Sequence, residues 1–277
     1  RRVKMKVVLC VLALAAVALG APSAPGGRIF GGINAARGEF PFIVSLQYCI
    51  IGFCQHSCGA TILSPSWLLT AAHCFTELPG IGSVRVIAGI LNQNDANAEK
   101  QTINIGRYIV HPNYEGGVNP HDIALIMLSS SLILNAQVQP ARLPRQGEEP
   151  QGPFDLAGWG SIGGSNLFPQ MPNNLQKAVV PLVPIRECDA VLTRILEGRP
   201  HPLHFESNVC SGPLDAPITA CGGDSGGPLS KGNVVEGVVS WGINPCGGVE
   251  APTVYVKVSN YINWIQRYVD EPLLFAD

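Results

Sequence analysis

Gly223-Asp224-Ser225-Gly226-Gly227-Pro228 is the most diagnostic segment of this 277-residue chain. It places a serine hydroxyl in a glycine-rich turn, where the backbone can turn tightly and direct its N–H groups toward a ligand. A serine hydroxyl is a weak nucleophile unless a base takes its proton and a third group orients that base. The segment therefore predicts a nucleophilic Ser225 that needs two partners elsewhere in the chain.

Two upstream segments supply candidates for these partners. The base is His73, in Leu69-Thr70-Ala71-Ala72-His73-Cys74, and the orienting carboxylate is Asp122, in His121-Asp122-Ile123-Ala124-Leu125. The chain order histidine, aspartate, serine is that of chymotrypsin-type proteases, whereas subtilisin and the α/β-hydrolases use other orders. His73, Asp122 and Ser225 are therefore the candidate catalytic residues.

Further segments along nearly the whole chain resemble those of trypsin-like serine proteases of the chymotrypsin family, and they occur in the family's order. Residues 29–32 resemble the mature amino terminus of these enzymes, and residues 40–46 resemble their first strand. The others are Gly158-Trp159-Gly160 and residues 239–242 and 254–258. Because the segments occur together, we identify the chain as a member of this family.

The resemblance implies an all-β fold of two six-stranded antiparallel β-barrels, with the active site in the cleft between them and a carboxy-terminal helix. Short β-branched runs between Gly, Pro and Asn turns independently indicate an all-β protein. We expect the first barrel at about 40–139, a Pro/Gly/Glu-rich link at about 140–153, and the second barrel and helix at about 154–270. Apolar residues at helical spacing predict that helix: Val258, Ile262, Ile265 and Val269. The tail beyond them is expected to fray.

The amino-terminal residues predict a secreted protein. Lys4 and Lys6 precede an apolar run over residues 7–19, which is typical of a signal peptide. The run is shorter than a membrane span requires, although an uncleaved anchor remains the alternative. We expect a signal peptide at 1–20, an activation peptide at 21–28 and the protease domain at 29–277.

Charge and cysteine content narrow the class of protein. After residue 28, 13 Lys and Arg remain against 20 Asp and Glu, a net charge of about −7. This balance argues against nucleic acid or an anionic membrane as the partner. Eight of the nine cysteines lie outside the predicted signal peptide, and an even number in a secreted chain indicates four disulfides.

The resemblance implies the disulfides Cys58–Cys74, Cys188–Cys210 and Cys221–Cys246, which leaves Cys49 and Cys54 to pair locally. A zinc site using Cys49, Cys54, His56 and Cys58 is the rival interpretation. We expect no cofactor and no metal. In particular, Ile90 and Lys100 stand where two carboxylates of the calcium loop of some relatives would be.

The resemblance also assigns supporting roles around the serine. The backbone N–H groups of Gly223 and Ser225 would form the oxyanion hole, and Ser240 would support Asp122. Cleavage between Arg28 and Ile29 would free an amine that pairs with Asp224. His56 and Ser45 match residues that hold this aspartate in some precursors of the family.

The primary specificity pocket is expected from the same comparison. Thr219, six residues before Ser225, would lie at its base, with Gly242 leaving one wall open and Thr253 narrowing another. Since no carboxylate stands at the base, we expect cleavage after small or medium apolar residues rather than after Lys or Arg. A preference for larger apolar residues is the alternative, and Glu250 near the rim is expected to be solvated.

These features predict a secreted serine endopeptidase made as a zymogen. Its expected partners are protein or peptide substrates, a trypsin-like activating protease and protein protease inhibitors, with no nucleic acid and no membrane. A non-catalytic homologue acting as a binding protein is the alternative from another class. An esterase on a different fold is disfavoured by the chain order and by the missing nucleophile elbow.

Overall fold

The computed structural model describes residue 29 and residues 31–165, 168–248 and 250–276. The strands are β1 (Ile33–Asn34), β2 (Ile43–Ile50), β3 (Phe53–Ser64), β4 (Trp67–Thr70), β5 (Ser83–Ala88), β6 (Gln101–Val110), β7 (Ala124–Leu128), β8 (Arg142–Leu143), β9 (Phe154–Gly158), β10 (Gly164–Ser165), β11 (Phe168–Pro169), β12 (Gln176–Val180), β13 (Leu182–Val183), β14 (Asn208–Ser211), β15 (Pro228–Lys231), β16 (Val234–Gly242), β17 (Thr253–Lys257) and β18 (Leu274–Phe275). The helices are α1 (His73–Thr76), α2 (Ile185–Ile195), a 3₁₀-helix (Val258–Tyr261) and α3 (Ile262–Tyr268).

Six antiparallel strands close into the first barrel, in the order β2-β3-β4-β7-β6-β5. Successive residues of a strand point to opposite faces, so alternate apolar residues can fill the interior. Val44 and Leu46 on β2, Ile62 on β3, Leu68 on β4 and Val86 on β5 are fully or almost fully buried. The predicted first barrel is therefore confirmed.

The second sheet is larger than the predicted six strands. It contains ten strands, eight of them along the path β1-β12-β9-β15-β16-β17-β14-β13. The short strand β8 pairs with β16 and β18, and β1 pairs with β12. The sheet curls around a core that includes Phe154, Leu156, Leu229 and Tyr255. The all-β architecture is confirmed, and the extra strands come from short segments that no periodic pattern marks.

The carboxy-terminal helix is confirmed, but two neighbouring features differ from the sequence prediction. Ile262 and Ile265 are buried in α3, whereas Val258 lies in the 3₁₀-helix and Val269 follows α3. The tail is not frayed, because β18 pairs in parallel with β8 inside the predicted link. The structure also contains α2, which the sequence analysis missed. No helix in the described ranges is long and apolar enough to cross a membrane.

Four disulfides link the eight cysteines of the described residues in the pairs that the sequence analysis expected. They are Cys49–Cys54, Cys58–Cys74, Cys188–Cys210 and Cys221–Cys246. The alternative zinc site is wrong for this structure, since Cys49 and Cys54 are joined to each other and Cys58 is joined to Cys74. Cys58–Cys74 ties β3 to α1, which begins at His73.

Candidate active site

His73 and Asp122 are placed by the first barrel. His73 follows β4 and begins α1, and Asp122 lies two residues before β7, which pairs with β4. The Nδ1 atom of His73 lies 2.7 Å from Oδ2 of Asp122, and the backbone N–H of His73 donates to Oδ1 at 2.8 Å. The Asp122 side chain is only 3% exposed. Both carboxylate oxygens therefore hold His73 in one orientation.

A side chain of the second sheet completes the environment of this carboxylate. Ser240, on β16, donates its hydroxyl to Oδ2 of Asp122 at 2.6 Å. Burial alone would lower the pKa of His73, but the hydrogen bond and charge of Asp122, with a smaller effect of the Glu77 charge, raise it above its ordinary value. A histidine with a raised pKa and an engaged Nδ1 can exchange a proton at Nε2.

Ser225 lies in a tight turn between the two halves of the molecule. Its carbonyl oxygen accepts from the Gly59 N–H at 2.8 Å, and the Gly226 N–H donates to Val239 at 2.8 Å. Gly226 has φ of 74°, and a Cβ there would lie 2.2 Å from Oγ1 of Thr70. Only glycine fits this close approach and positive φ. The turn brings Ser225 and His73 to the same cavity, of about 240 Å³.

Asp224 is fully buried beneath the serine turn. Its carboxylate accepts from the backbone N–H groups of Gly160 and Cys221 at 2.8 and 2.9 Å. Burial raises its pKa to about 6, against the lowering effect of those two hydrogen bonds. Ile29 is also fully buried, in the core of the second sheet. A cationic group reaching this carboxylate would stabilise its ionised form.

His56 is placed differently from the sequence expectation. The Ser45 hydroxyl contacts its Nδ1 at 2.8 Å. Its Nε2, however, lies 2.9 Å from the carbonyl oxygen of Gly223 rather than on the Asp224 carboxylate. Burial lowers the pKa of His56 to about 4, so the ring is neutral and suits a carbonyl acceptor. The contact fixes the peptide group that precedes Asp224.

The cavity beside Ser225 is uncharged on the side away from His73. Ala220, Gly242 and the Cys221–Cys246 disulfide line it, and its only carboxylates among the described residues are Glu77 and Asp122. Glu77, Val118 and Ile243 were not predicted from the sequence, because they lie in loops that carry no recognisable motif.

Thr219 and Thr253 lie behind this lining rather than at its surface. Both are almost fully buried. The Thr219 hydroxyl accepts from the Gly247 N–H at 2.9 Å, and the Thr253 hydroxyl accepts from the Ala220 N–H at 3.1 Å. Since both hydroxyls bind backbone groups, they support the wall without offering a charge.

Two surface features concern residues that the sequence analysis singled out. Glu250 pairs with Arg194 of α2 at 3.1 Å and does not line the cavity beside Ser225. In the loop compared with the calcium site, Lys100 donates to the carbonyl oxygen of Asp95 at 2.8 Å. The Asp95 carboxylate accepts from two backbone N–H groups and pairs with Arg37. A lysine ammonium therefore already binds inside this loop.

The predicted signal peptide at 1–20 and activation peptide at 21–28, including Arg28, lie outside the described residues. The structure consequently adds nothing to those predictions, and Ile29 is the first residue whose environment is known.

The trypsin family model matches residues 29–265, which cover the first barrel, the second sheet except β18, and all of the site described above. The chain therefore belongs to the trypsin family of serine proteases. It is 36% identical to trypsin-1 of Astacus astacus over 247 residues, covering 86% of this chain and 98% of the relative. It is 33% identical to anionic trypsin of Canis lupus familiaris over 262 residues, covering 94% of this chain and 97% of the relative. It is 34% identical to a chymotrypsin-like serine proteinase of Haliotis rufescens over 271 residues, covering 95% and 98%.

Proposed function

We propose that this protein is a secreted serine endopeptidase, made as a zymogen, that cleaves after small or medium apolar residues. The observation that carries the proposal is the hydrogen-bonded arrangement of His73, Asp122 and Ser240 at the cavity that Ser225 lines. A serine beside a histidine whose partner is a buried carboxylate is the arrangement that acyl transfer requires.

In the proposed reaction, Ser225 attacks the substrate carbonyl while Nε2 of His73 takes the hydroxyl proton. A covalent acyl-enzyme forms, and His73 passes the proton to the leaving amine. Water then attacks the acyl group, His73 takes its proton, and the product acid leaves as Ser225 regains its hydrogen. Asp122 keeps the imidazole oriented and stabilises its charged form without being protonated. The N–H groups of Gly223 and Ser225 bind the developing oxyanion, and each such donor contributes about 3 kcal/mol in related sites.

The apolar preference is supported by the charge and size of the cavity. Among the described residues no acidic side chain lines its far side, so a Lys ammonium or an Arg guanidinium would be buried without a partner there. Thr253 packs directly behind Ala220 and limits the depth of the wall. The chain is about equally identical to two trypsins and to a chymotrypsin-like proteinase, so sequence identity does not distinguish between their specificities. The residues that line this cavity are therefore the better guide to specificity.

Zymogen activation is supported by the environment of Asp224. Cleavage of the Arg28–Ile29 bond would create an ammonium group next to the buried Ile29 side chain. That cation is suited to the Asp224 carboxylate, whose pKa is raised by burial. Because the proposed specificity excludes Arg28, a separate trypsin-like protease would make the cut.

Four disulfides support an oxidising, extracellular location. The proposed partners are protein substrates and protein protease inhibitors.

A peptide library incubated with the recombinant precursor, before and after limited trypsin treatment, tests the proposal. We expect activity only after the Arg28–Ile29 cut, with Ala, Val or Leu before the scissile bond in the products identified by mass spectrometry. Ser225→Ala, cut in the same way, is the matched inactive control. Cleavage after Lys or Arg would refute the pocket assignment. No cleavage by a correctly cut, folded protein would favour a non-catalytic binding protein.

A further inference from the structure

The end of the β2–β3 hairpin presents large apolar side chains to solvent. Ile51 and Phe53 are 93% and 82% exposed on a turn closed by the Cys49–Cys54 disulfide. Ile81, in the loop before β5, is 67% exposed. Clustered exposed apolar side chains mark interaction surfaces, whereas single ones are ordinary. Ile51, Phe53 and Ile81 are called the hairpin patch below.

The loop that carries Ile81 is fixed to the hairpin. The Tyr48 hydroxyl donates to the carbonyl oxygen of Ile81, and Cys49 pairs with Ser83 across β2 and β5. At Gly82, where φ is +95°, a Cβ would lie 2.5 Å from the carbonyl oxygen of Cys49. The loop and the hairpin therefore meet as closely as a glycine allows, and the patch is preformed.

A cavity of about 490 Å³, lined by uncharged residues, adjoins the patch at Ile81. Its lining includes Tyr48, Leu78 and Ile81, together with Phe75 and Tyr108, whose rings stack at 4.3 Å. Residues 48–55 and 78–84 contain no Asp, Glu, Lys or Arg. This composition fits an apolar partner group and provides no charged side chain to pair with a charged one.

Strand β3 connects the patch to the catalytic centre. The Gly59 N–H donates to the carbonyl oxygen of Ser225, and Gly59 is six residues along the strand from Phe53. At 3.3 Å per residue this separation is roughly 20 Å, about six residues of an extended peptide. Gln55, His56 and Ser57 lie between and line a second cavity of about 530 Å³ that reaches Gly222 and Gly223.

The route from Ser225 to the patch lies on one side of the scissile bond. In the proposed function, the cavity of about 240 Å³ holds the side chain before the scissile bond. The second cavity shares Cys221, Gly222 and Cys246 with the first and extends to Gln55 and Ser57 of the hairpin, so it is free for the chain that follows the bond. We propose that the hairpin patch binds an apolar side chain about six residues to the carboxyl side of the scissile bond. This inference rests on the proposed endopeptidase function and extends it to the distal part of the substrate.

Three peptides with identical residues around the scissile bond test the proposal. Two carry eight residues after the bond, with Phe or Ser as the sixth, and the third carries only two residues after it. The trypsin-activated wild type is compared with Ile51→Ser/Phe53→Ser and with Ile133→Ser. Ile133 is 75% exposed in the loop after β7 and lines neither the cleft nor the patch cavity, so it is the matched control.

We expect Phe at the sixth position to raise kcat/KM about tenfold over Ser in the wild type and in Ile133→Ser, from partial burial of the ring. In the double variant this ratio should fall to about one, while the short peptide is cleaved equally by all three proteins. Equal cleavage of the short peptide also shows that the double variant is folded.

Four results would overturn the proposal. The first is a wild type that does not distinguish Phe from Ser. The second is an equal loss on short and long peptides, which would give the hairpin a structural role. The third is a double variant that still distinguishes Phe from Ser but has lost binding to phosphatidylcholine vesicles, which would assign the patch to a lipid surface. The fourth is failure of the activated wild type to cleave even the short peptide, which would refute the endopeptidase function itself.

Discussion

Ser240 and Asp122 join the two halves of the site, because the Ser240 hydroxyl donates at 2.6 Å to the carboxylate oxygen that also contacts Nδ1 of His73. Ser240 belongs to the second sheet, whereas Asp122 and His73 belong to the first barrel. The position of the proposed base therefore depends on how the two β-structures pack together.

Ser240→Ala should lower kcat/KM about tenfold. The substitution removes a hydrogen bond to a charged group, which contributes about 1.5–3 kcal/mol in proteins, and part of this should appear in the transition state as His73 becomes charged. Steady-state kinetics on an apolar peptide measures the effect. Ser259→Ala is the matched control, since Ser259 is a buried serine whose hydroxyl has no hydrogen-bond partner. Equal losses in both variants would contradict a role for the Asp122 contact.

Asp122→Asn should both slow the reaction and move its pH dependence. The proposed base must be neutral, so activity falls as the pH drops through the pKa of His73, which Asp122 raises. Without the carboxylate that pKa falls, and the acid limb of kcat/KM should move to lower pH. A loss of about 10⁴ in kcat is expected from the disturbed tautomer, the size of effect that this substitution has in other Ser-His-Asp proteases. An unmoved acid limb in a folded variant would argue against His73 as the titrating group.

The precursor should lose stability relative to the cleaved form as the pH rises from about 4 to 6. Burial raises the pKa of Asp224 to about 6 in the uncleaved chain, so the folded state holds a proton that the unfolded state has already lost in this window. Stability therefore falls with rising pH until the carboxylate ionises, and a shift of this size corresponds to about 3 kcal/mol. After cleavage, the ammonium group of Ile29 should remove this loss of stability by pairing with the ionised Asp224 carboxylate.

Thermal unfolding of cleaved and uncleaved protein measures this difference, in a Ser225→Ala background that prevents self-digestion. The Tm of the cleaved form should exceed that of the precursor by several degrees at pH 7 and by much less at pH 4. A difference that does not change with pH would show that Asp224 is not the group relieved by cleavage.

Thr253→Gly should shift the preference toward larger side chains. The change removes the β-branched side chain behind Ala220 together with the hydroxyl that accepts from its N–H, so the wall can recede. We expect the ratio of kcat/KM for Phe over Ala before the scissile bond to rise about tenfold, a size typical of pocket contacts. Glu250→Ala is the control and should leave the ratio unchanged, because Glu250 pairs with Arg194 outside the cavity. A shift in both variants would point to a general loosening of the loop.

The secondary structure was predictable where periodicity or turn residues marked it. Ile262 and Ile265 recur at helical spacing and lie buried in α3. In α2, Cys188, Val191 and Leu192 form a similar buried face at helical spacing, so the same periodicity that predicts α3 also marks this helix. The pairing of β18 with β8 could not be predicted, because two-residue strands carry no period.

Local chemistry was enough to identify His73, Asp122 and Ser225 as candidates, since each sits in a short motif whose residue types suit its proposed role. Their arrangement came from packing: His73 and Asp122 are 49 residues apart, and Ser240 reaches Asp122 across 118 residues. His56 shows the limit of motif reasoning. Its identity suggested a contact with Asp224, yet the packed turn presents the Gly223 carbonyl to it instead. A motif specifies which groups can react or form hydrogen bonds. The distance between groups far apart in the chain depends on how the first barrel and the second sheet bury their apolar faces against each other.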